Sequence, residues 1–159
     1  METNVYNVSA PGGQKTLLAS DARPRVAIIV IAVWIFLQMI RITAFSLVQS
    51  VLAGTDAAAW LYPAFVDIFV GITAPFVAFA LWRKTGLAVW VAAIVWFAIS
   101  IFDHMDAMTA SLTTQIPASM PGGGNVSITV MVLLVLTILD VIALTVLTRK
   151  KMRSYYLAK

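Results

Sequence analysis

"VAIIVIAVWIFLQMIRITAFSLVQS", residues 26–50, decides the fold. The run is apolar apart from Gln38, Arg41 and the hydroxyl and amide residues near its end. A helix needs about 20 apolar residues, at 1.5 Å each, to cross a hydrocarbon core of about 30 Å. Three later runs have the same character: 59–82 "AWLYPAFVDIFVGITAPFVAFALW", 86–108 "GLAVWVAAIVWFAISIFDHMDAM" and 126–148 "VSITVMVLLVLTILDVIALTVLT". Lipid offers no partner to an open backbone, so each run is expected as a helix.

Composition agrees. Of 159 residues, 61% are hydrophobic and 11% charged, where a soluble domain carries about 25% charged residues. The expected fold is an all-α, four-transmembrane-helix bundle. It comprises an N-terminal tail at 1–25, a membrane domain at 26–148 and a basic tail at 149–159. The chain has no cysteine, which excludes disulfides, thiolate metal sites and cysteine nucleophiles. The first 25 residues lack an apolar core, so a cleaved secretory signal is not expected.

The basic residues set the direction. Lys15, Arg23 and Arg25 precede the first run, Arg83 and Lys84 separate the second and third, and Arg149, Lys150, Lys151, Arg153 and Lys159 follow the fourth. The loops at 51–58 and 109–125 hold no Lys or Arg. The positive-inside rule therefore puts both termini in the cytoplasm. The tail "RKKMRSYYLAK" reads as an interfacial anchor, its cations meeting anionic lipid and Tyr155 and Tyr156 lying at headgroup level. With the cations so placed, nucleic acid is not the expected partner. "APGG" and "MPGGG" mark loops. The Asn7 and Asn125 glycosylation patterns read as chance matches.

The eleventh basic residue, Arg41, lies inside the first run, and carboxyls lie inside the other three. An ionisable group at the centre of a span costs about 2.5–3.5 kcal/mol on insertion scales, so each needs a reason. Counted at 1.5 Å per residue, Arg41 is about 24 Å and Asp103 about 25 Å from the cytoplasmic end, while Asp67 is about 10 Å below the outer surface. His104 adjoins Asp103. Asp140, about 12 Å from the inner end, is expected in a different layer.

Helical spacing sorts the faces. Gln38, Arg41, Phe45 and Gln49 form one stripe, and Pro63, Asp67, Gly71, Ala74 and Ala78 a second. Trp96, Ser100, Asp103, His104 and Ala107 form a third. Small residues on the second stripe allow close approach in lipid, and Pro75 predicts a bend. The stripes are expected to face one another, with Arg41 bonded to Asp67, Asp103 or both. The competing reading has Arg41 snorkelling to the outer interface and Asp106 wet at a helix end. Asp140 either bonds another span or marks a contact with a partner subunit.

Candidate chemistry follows from these groups. His104, Met108 and Asp103 are possible metal ligands; imidazole with thioether suits Cu(I), and imidazole with carboxylate suits zinc or iron. Neighbouring helical residues diverge by about 100°, and no second histidine exists to complete an H-x-x-x-H pair. No catalytic triad or phosphate loop is present; Ser100 lies near His104 without an oxyanion site. Intramembrane carboxylates, an arginine and a proline-interrupted helix are parts that transporters use.

The run Pro63-x-x-x-Asp67-x-x-x-Gly71-x-x-Ala74-Pro75, followed by Trp96-x-x-x-Ser100-x-x-Asp103, resembles a group of small uncharacterised prokaryotic four-span membrane proteins. Their second and third helices show P-x-x-x-D-x-x-x-G-x-x-A-P and W-N-x-x-G-x-x-D. Phe97 and Ser100 replace the Asn and Gly of that pattern. The resemblance implies that Asp67 and Asp103 form a shared polar pair, and it implies a prokaryotic cytoplasmic membrane. It lends no activity and no cofactor. The favoured expectation is a non-enzymatic accessory or ligand-binding subunit, as a homo-oligomer or within a larger membrane complex. A small proton- or cation-coupled transporter or channel is the first alternative, and a copper-binding membrane protein the second.

Overall fold

A computed structural model describes residues 24–120 and 123–157. Lys15, Arg23 and Lys159 lie outside these residues, as does the N-terminal tail up to residue 23. Four apolar helical spans, Arg25–Leu52, Ala58–Arg83, Leu87–Thr113 and Val126–Thr148, are each long enough to cross a membrane. The protein is thus an all-α, four-helix membrane bundle, with no strand among the described residues. Its outward surface is apolar all round: Val30, Ile40, Phe76, Phe102 and Met131 are exposed. Such a face suits acyl chains and not water.

The first span is not one continuous α-helix. It consists of α1 (Arg25–Leu37), a 3₁₀ segment (Gln38–Ala44) and α2 (Phe45–Leu52). This alters the stripe expected from α-helical spacing. A 3₁₀ turn advances about 20° more per residue than an α turn, so seven residues rotate the following helix by about 140°. Gln38 remains buried, but Phe45 turns outward, and Leu47, Val48 and Val51 turn inward in its place. Gln49 is exposed with it.

A short 3₁₀ turn, Ala58–Trp60, leads into α3 (Leu61–Arg83), which runs through Pro75. Its small-residue stripe packs as expected, with Pro63, Gly71, Ala74 and Ala78 buried. At Gly71 the first span comes close: a Cβ there would lie 2.6 Å from the backbone nitrogen of Ile42. Only glycine permits that approach, and it sets the 3₁₀ segment directly against α3.

The third span, α4 (Leu87–Thr113), begins after Gly86 at φ +120° and extends five residues beyond the expected end at 108. Asn125 caps the fourth span, α5 (Val126–Thr148), its side chain accepting from Ile128 N at 3.1 Å. Indole N–H groups tie the bundle together. Trp60 donates to the Gln115 carbonyl, Trp90 to the Leu147 carbonyl and Trp96 to Thr73 Oγ1.

A last helix, α6 (Lys150–Leu157), turns under the basic end. Met152 and Tyr156 are buried there, and the Tyr156 hydroxyl donates to the Leu81 carbonyl at 2.6 Å. Tyr156 therefore lies inside the protein rather than at headgroup level, because the Leu81 carbonyl near the end of α3 offers its hydroxyl a partner.

Two apolar clusters result. The one nearer the basic end includes Ile28, Ile35, Val70, Leu81, Phe97 and Leu147. The one at the far end includes Leu47, Val51, Trp60, Ala64, Ala110 and Leu133. Between them lies a polar layer to which every span contributes.

Candidate functional site

Arg41 is the hub of that layer. It sits on the 3₁₀ segment, and its side chain is 8% exposed. Nε donates to Asp67 Oδ1 on α3, Nη2 to Asp103 Oδ2 on α4, and Nη1 to Ser100 Oγ on α4 at 2.6 Å. Each nitrogen of the guanidinium thus has an acceptor, and two carboxylates clasp it from adjacent helices. The charge is matched inside the protein, so Arg41 does not snorkel to the interface. The pairing expected from depth and helix face is present with both aspartates.

The network continues where the sequence did not place it. Ser100 Oγ donates in turn to Asp140 Oδ2 at 2.7 Å. Asp140 Oδ1 receives Trp34 Nε1 at 2.7 Å and Gln38 Nε2 at 3.1 Å. His104 Nδ1 lies 3.7 Å from Asp140 Oδ2. Asp140 is therefore in the same layer as Arg41, not a separate inner one.

The physical reason is register. Asp140 would lie below Arg41 only if Thr148 were level with Leu87 at the membrane surface. Instead the Leu147 carbonyl accepts from Trp90, three residues into α4, and α6 lies beneath. The two helix ends are therefore not level, and the fourth span brings Asp140 within reach of Ser100. Ser100, one turn below Asp103, bridges what remains. The seryl hydroxyl joining both halves had no distinguishing signal beyond its place on the buried stripe.

Other candidates separate cleanly. Asp106 is exposed and outside the network. Asp103 and His104 are 3% and 2% exposed, and Asp103 Oδ1 and His104 Nδ1 have no hydrogen-bond partner. Of the proposed metal ligands, Asp103 is committed to Arg41, and Met108 packs against the far apolar cluster. Among the described residues, no three His, Asp or Glu side chains gather as metal ligands would.

A cavity of about 450 Å³ opens beside this network, between the first and fourth spans. Arg41, Asp67, Asp103 and His104 form its polar floor. Leu37, Ile40, Leu47, Leu133 and Leu136 supply its walls, and Ser119 and Met120 of the far-end loop stand at its margin. The volume lies in the range of small-molecule pockets, and so does the pattern of apolar walls with a few convergent polar groups. The helices explain why the space exists. The first span packs on the second, the second on the third and the third on the fourth. Side chains from Trp34 and Gln38 to Asp140 span the remaining gap.

Comparison with family models, with curated proteins and with solved structures gives no match for this chain. The chemistry of the site has to be read from its own residues.

Proposed function

We propose that this protein is a non-enzymatic membrane subunit that binds a small ligand in the cavity between its first and fourth spans. The observation that carries the reading is the cavity itself, about 450 Å³ with a charged floor set in an otherwise apolar bundle. A polar layer that served only to hold helices together would need no space beside it. The hydroxyl–carboxyl contact in this layer, Ser100 to Asp140, does not line the cavity, so it presents no nucleophile to a bound molecule. The basic end is assigned to the cytoplasm of a prokaryotic cell, and the cavity mouth to the outside. Lys150, Lys151 and Arg153 on α6 suit an anionic lipid surface. Association, as a homo-oligomer or as an accessory to a larger complex, would use the exposed apolar flanks.

Native mass spectrometry of the detergent-purified protein tests this. Wild type should retain a small-molecule adduct that Ala107→Trp, which fills the cavity, does not. A bare wild-type mass, with ligand-free and variant proteins equally stable, would remove the proposal.

One feature favours a second reading, a small proton- or cation-coupled transporter. The 3₁₀ segment interrupts the first span at Arg41 itself, and discontinuous helices are where transporters place their sites. Reconstitution into liposomes separates the two. Proton or solute flux abolished by Asp67→Asn would replace ligand binding with transport, whereas stoichiometric copurification with other membrane proteins would favour the accessory role.

A further inference from the structure

We infer that the cavity's ligand is an organic cation, an ammonium carried on an apolar body, whose charge is met by the Asp103 carboxyl. The inference rests on the ligand-binding reading above and names the chemistry of that ligand.

Charge balance is the first argument. Three carboxyls, Asp67, Asp103 and Asp140, meet one guanidinium in this layer. Among the described residues, His104 is the one other group nearby that can carry positive charge, 3.7 Å from Asp140. Even with a proton on that imidazole, carboxyls outnumber cations by one. An uncompensated buried charge is costly, and either a proton held on a carboxyl or a bound cation removes it; the cavity beside these carboxyls has room for the cation.

The second argument is the orphaned acceptor. Asp103 is 3% exposed and lines the cavity, yet its Oδ1 has no partner. His104, also lining the cavity at 2% exposure, has an unpartnered Nδ1. Buried polar atoms are ordinarily hydrogen-bonded, and an exception beside a cavity points to a missing donor. An anion fits poorly, because the Asp67 and Asp103 carboxyls already face Arg41 in this layer and would repel it.

The third argument is the wall. Leu37, Ile40, Leu133 and Leu136 offer nothing polar, Trp34 borders the same space, and the Thr43 and Ser46 hydroxyls that also line it already donate to backbone carbonyls. A hydrated inorganic ion gains nothing from such walls, whereas an aliphatic or aromatic body buries against them and an indole face attracts a cation.

Three near-isosteric probes test the inference on the wild-type protein in non-ionic detergent: 2-phenylethylammonium, 2-phenylethanol and 3-phenylpropionate. Binding is read by quenching of tryptophan fluorescence and by the shift in unfolding temperature. The ammonium should saturate and bind about tenfold to a hundredfold more tightly than the alcohol, the weight of a charge-assisted hydrogen bond. The carboxylate should be the weakest. Asp103→Asn should erase most of the ammonium's advantage and weaken the alcohol far less; Ala107→Trp should abolish binding of all three. Equal binding of alcohol and ammonium, or tighter binding of the carboxylate, overturns the cation assignment while the ligand-binding cavity stands. If none of the three binds and Ala107→Trp alters nothing, both readings fall. The wild-type comparison holds even if Asp103→Asn does not fold.

Discussion

The Ser100 hydroxyl donates to Asp140 Oδ2 at 2.7 Å while accepting from Arg41 Nη1 at 2.6 Å. One small side chain thereby couples a cation on the first span to a carboxyl on the fourth. Ser100→Ala should cost about 1–3 kcal/mol, because it strands a charged donor and a charged acceptor in a buried place. Ser100→Thr, which restores the hydroxyl, should recover part of the loss. Thermal unfolding in detergent reads both, and a Ser100→Ala protein as stable as wild type would show that water or a shifted side chain replaces the bridge.

Arg41→Met removes the one guanidinium from a layer of three carboxyls. Breaking a buried ion pair by deleting one partner costs about 3–5 kcal/mol. The damage should be largely relieved when Asp67→Asn and Asp103→Asn are added, since neutral amides no longer lack a counter-charge. A triple variant no better than Arg41→Met would mean that the charges act independently.

Gly71 lets the backbone of the first span approach α3, with a would-be Cβ 2.6 Å from Ile42 N and 2.8 Å from its Cγ1. The nearest atom is backbone and cannot rotate away. Gly71→Ala should destabilise the bundle by about 1–3 kcal/mol and Gly71→Val by more. Both should also weaken the Arg41–Asp67 contact, since the helices that carry it are pushed apart. Unfolding curves for the pair, with and without Asp67→Asn, measure that coupling as non-additivity.

Tyr156 ties α6 to α3 through the Leu81 carbonyl at 2.6 Å. Tyr156→Phe keeps the ring and its edge-on contact with Tyr155 but deletes the bond, at a cost of about 1 kcal/mol. The loss should be local. Hydrogen exchange should quicken in 150–157 and remain unchanged around Arg41; exchange that quickens equally throughout would mean that α6 supports the whole bundle.

The absence of cysteine makes topology directly measurable. Ser119→Cys, in the far-end loop, should react with an impermeant maleimide on intact cells. Ser154→Cys, exposed on α6, should react only after the membrane is opened. The reverse pattern would invert the assigned orientation.

The sequence by itself determined the number of the spans and where each lies, though not the end of the third, because hydropathy along 20 or more residues follows from composition and needs no knowledge of neighbours. It also favoured a meeting of Arg41 with Asp67, Asp103 or both. Those residues are matched in depth and face, and a charge in lipid has few other places to go. Tertiary structure alone decided the rest. The 3₁₀ stretch at Gln38–Ala44 turned Phe45 outward, a change that α-helical spacing cannot anticipate. The register of the fourth span against the third set Asp140 on Ser100 and the Leu147 carbonyl on Trp90. The gap between the first and fourth spans made a cavity of residues that share no motif. Each depends on how far one helix slides or rotates against another. That is settled by side chains interlocking across the interface, and no single helix carries it in its own order of residues.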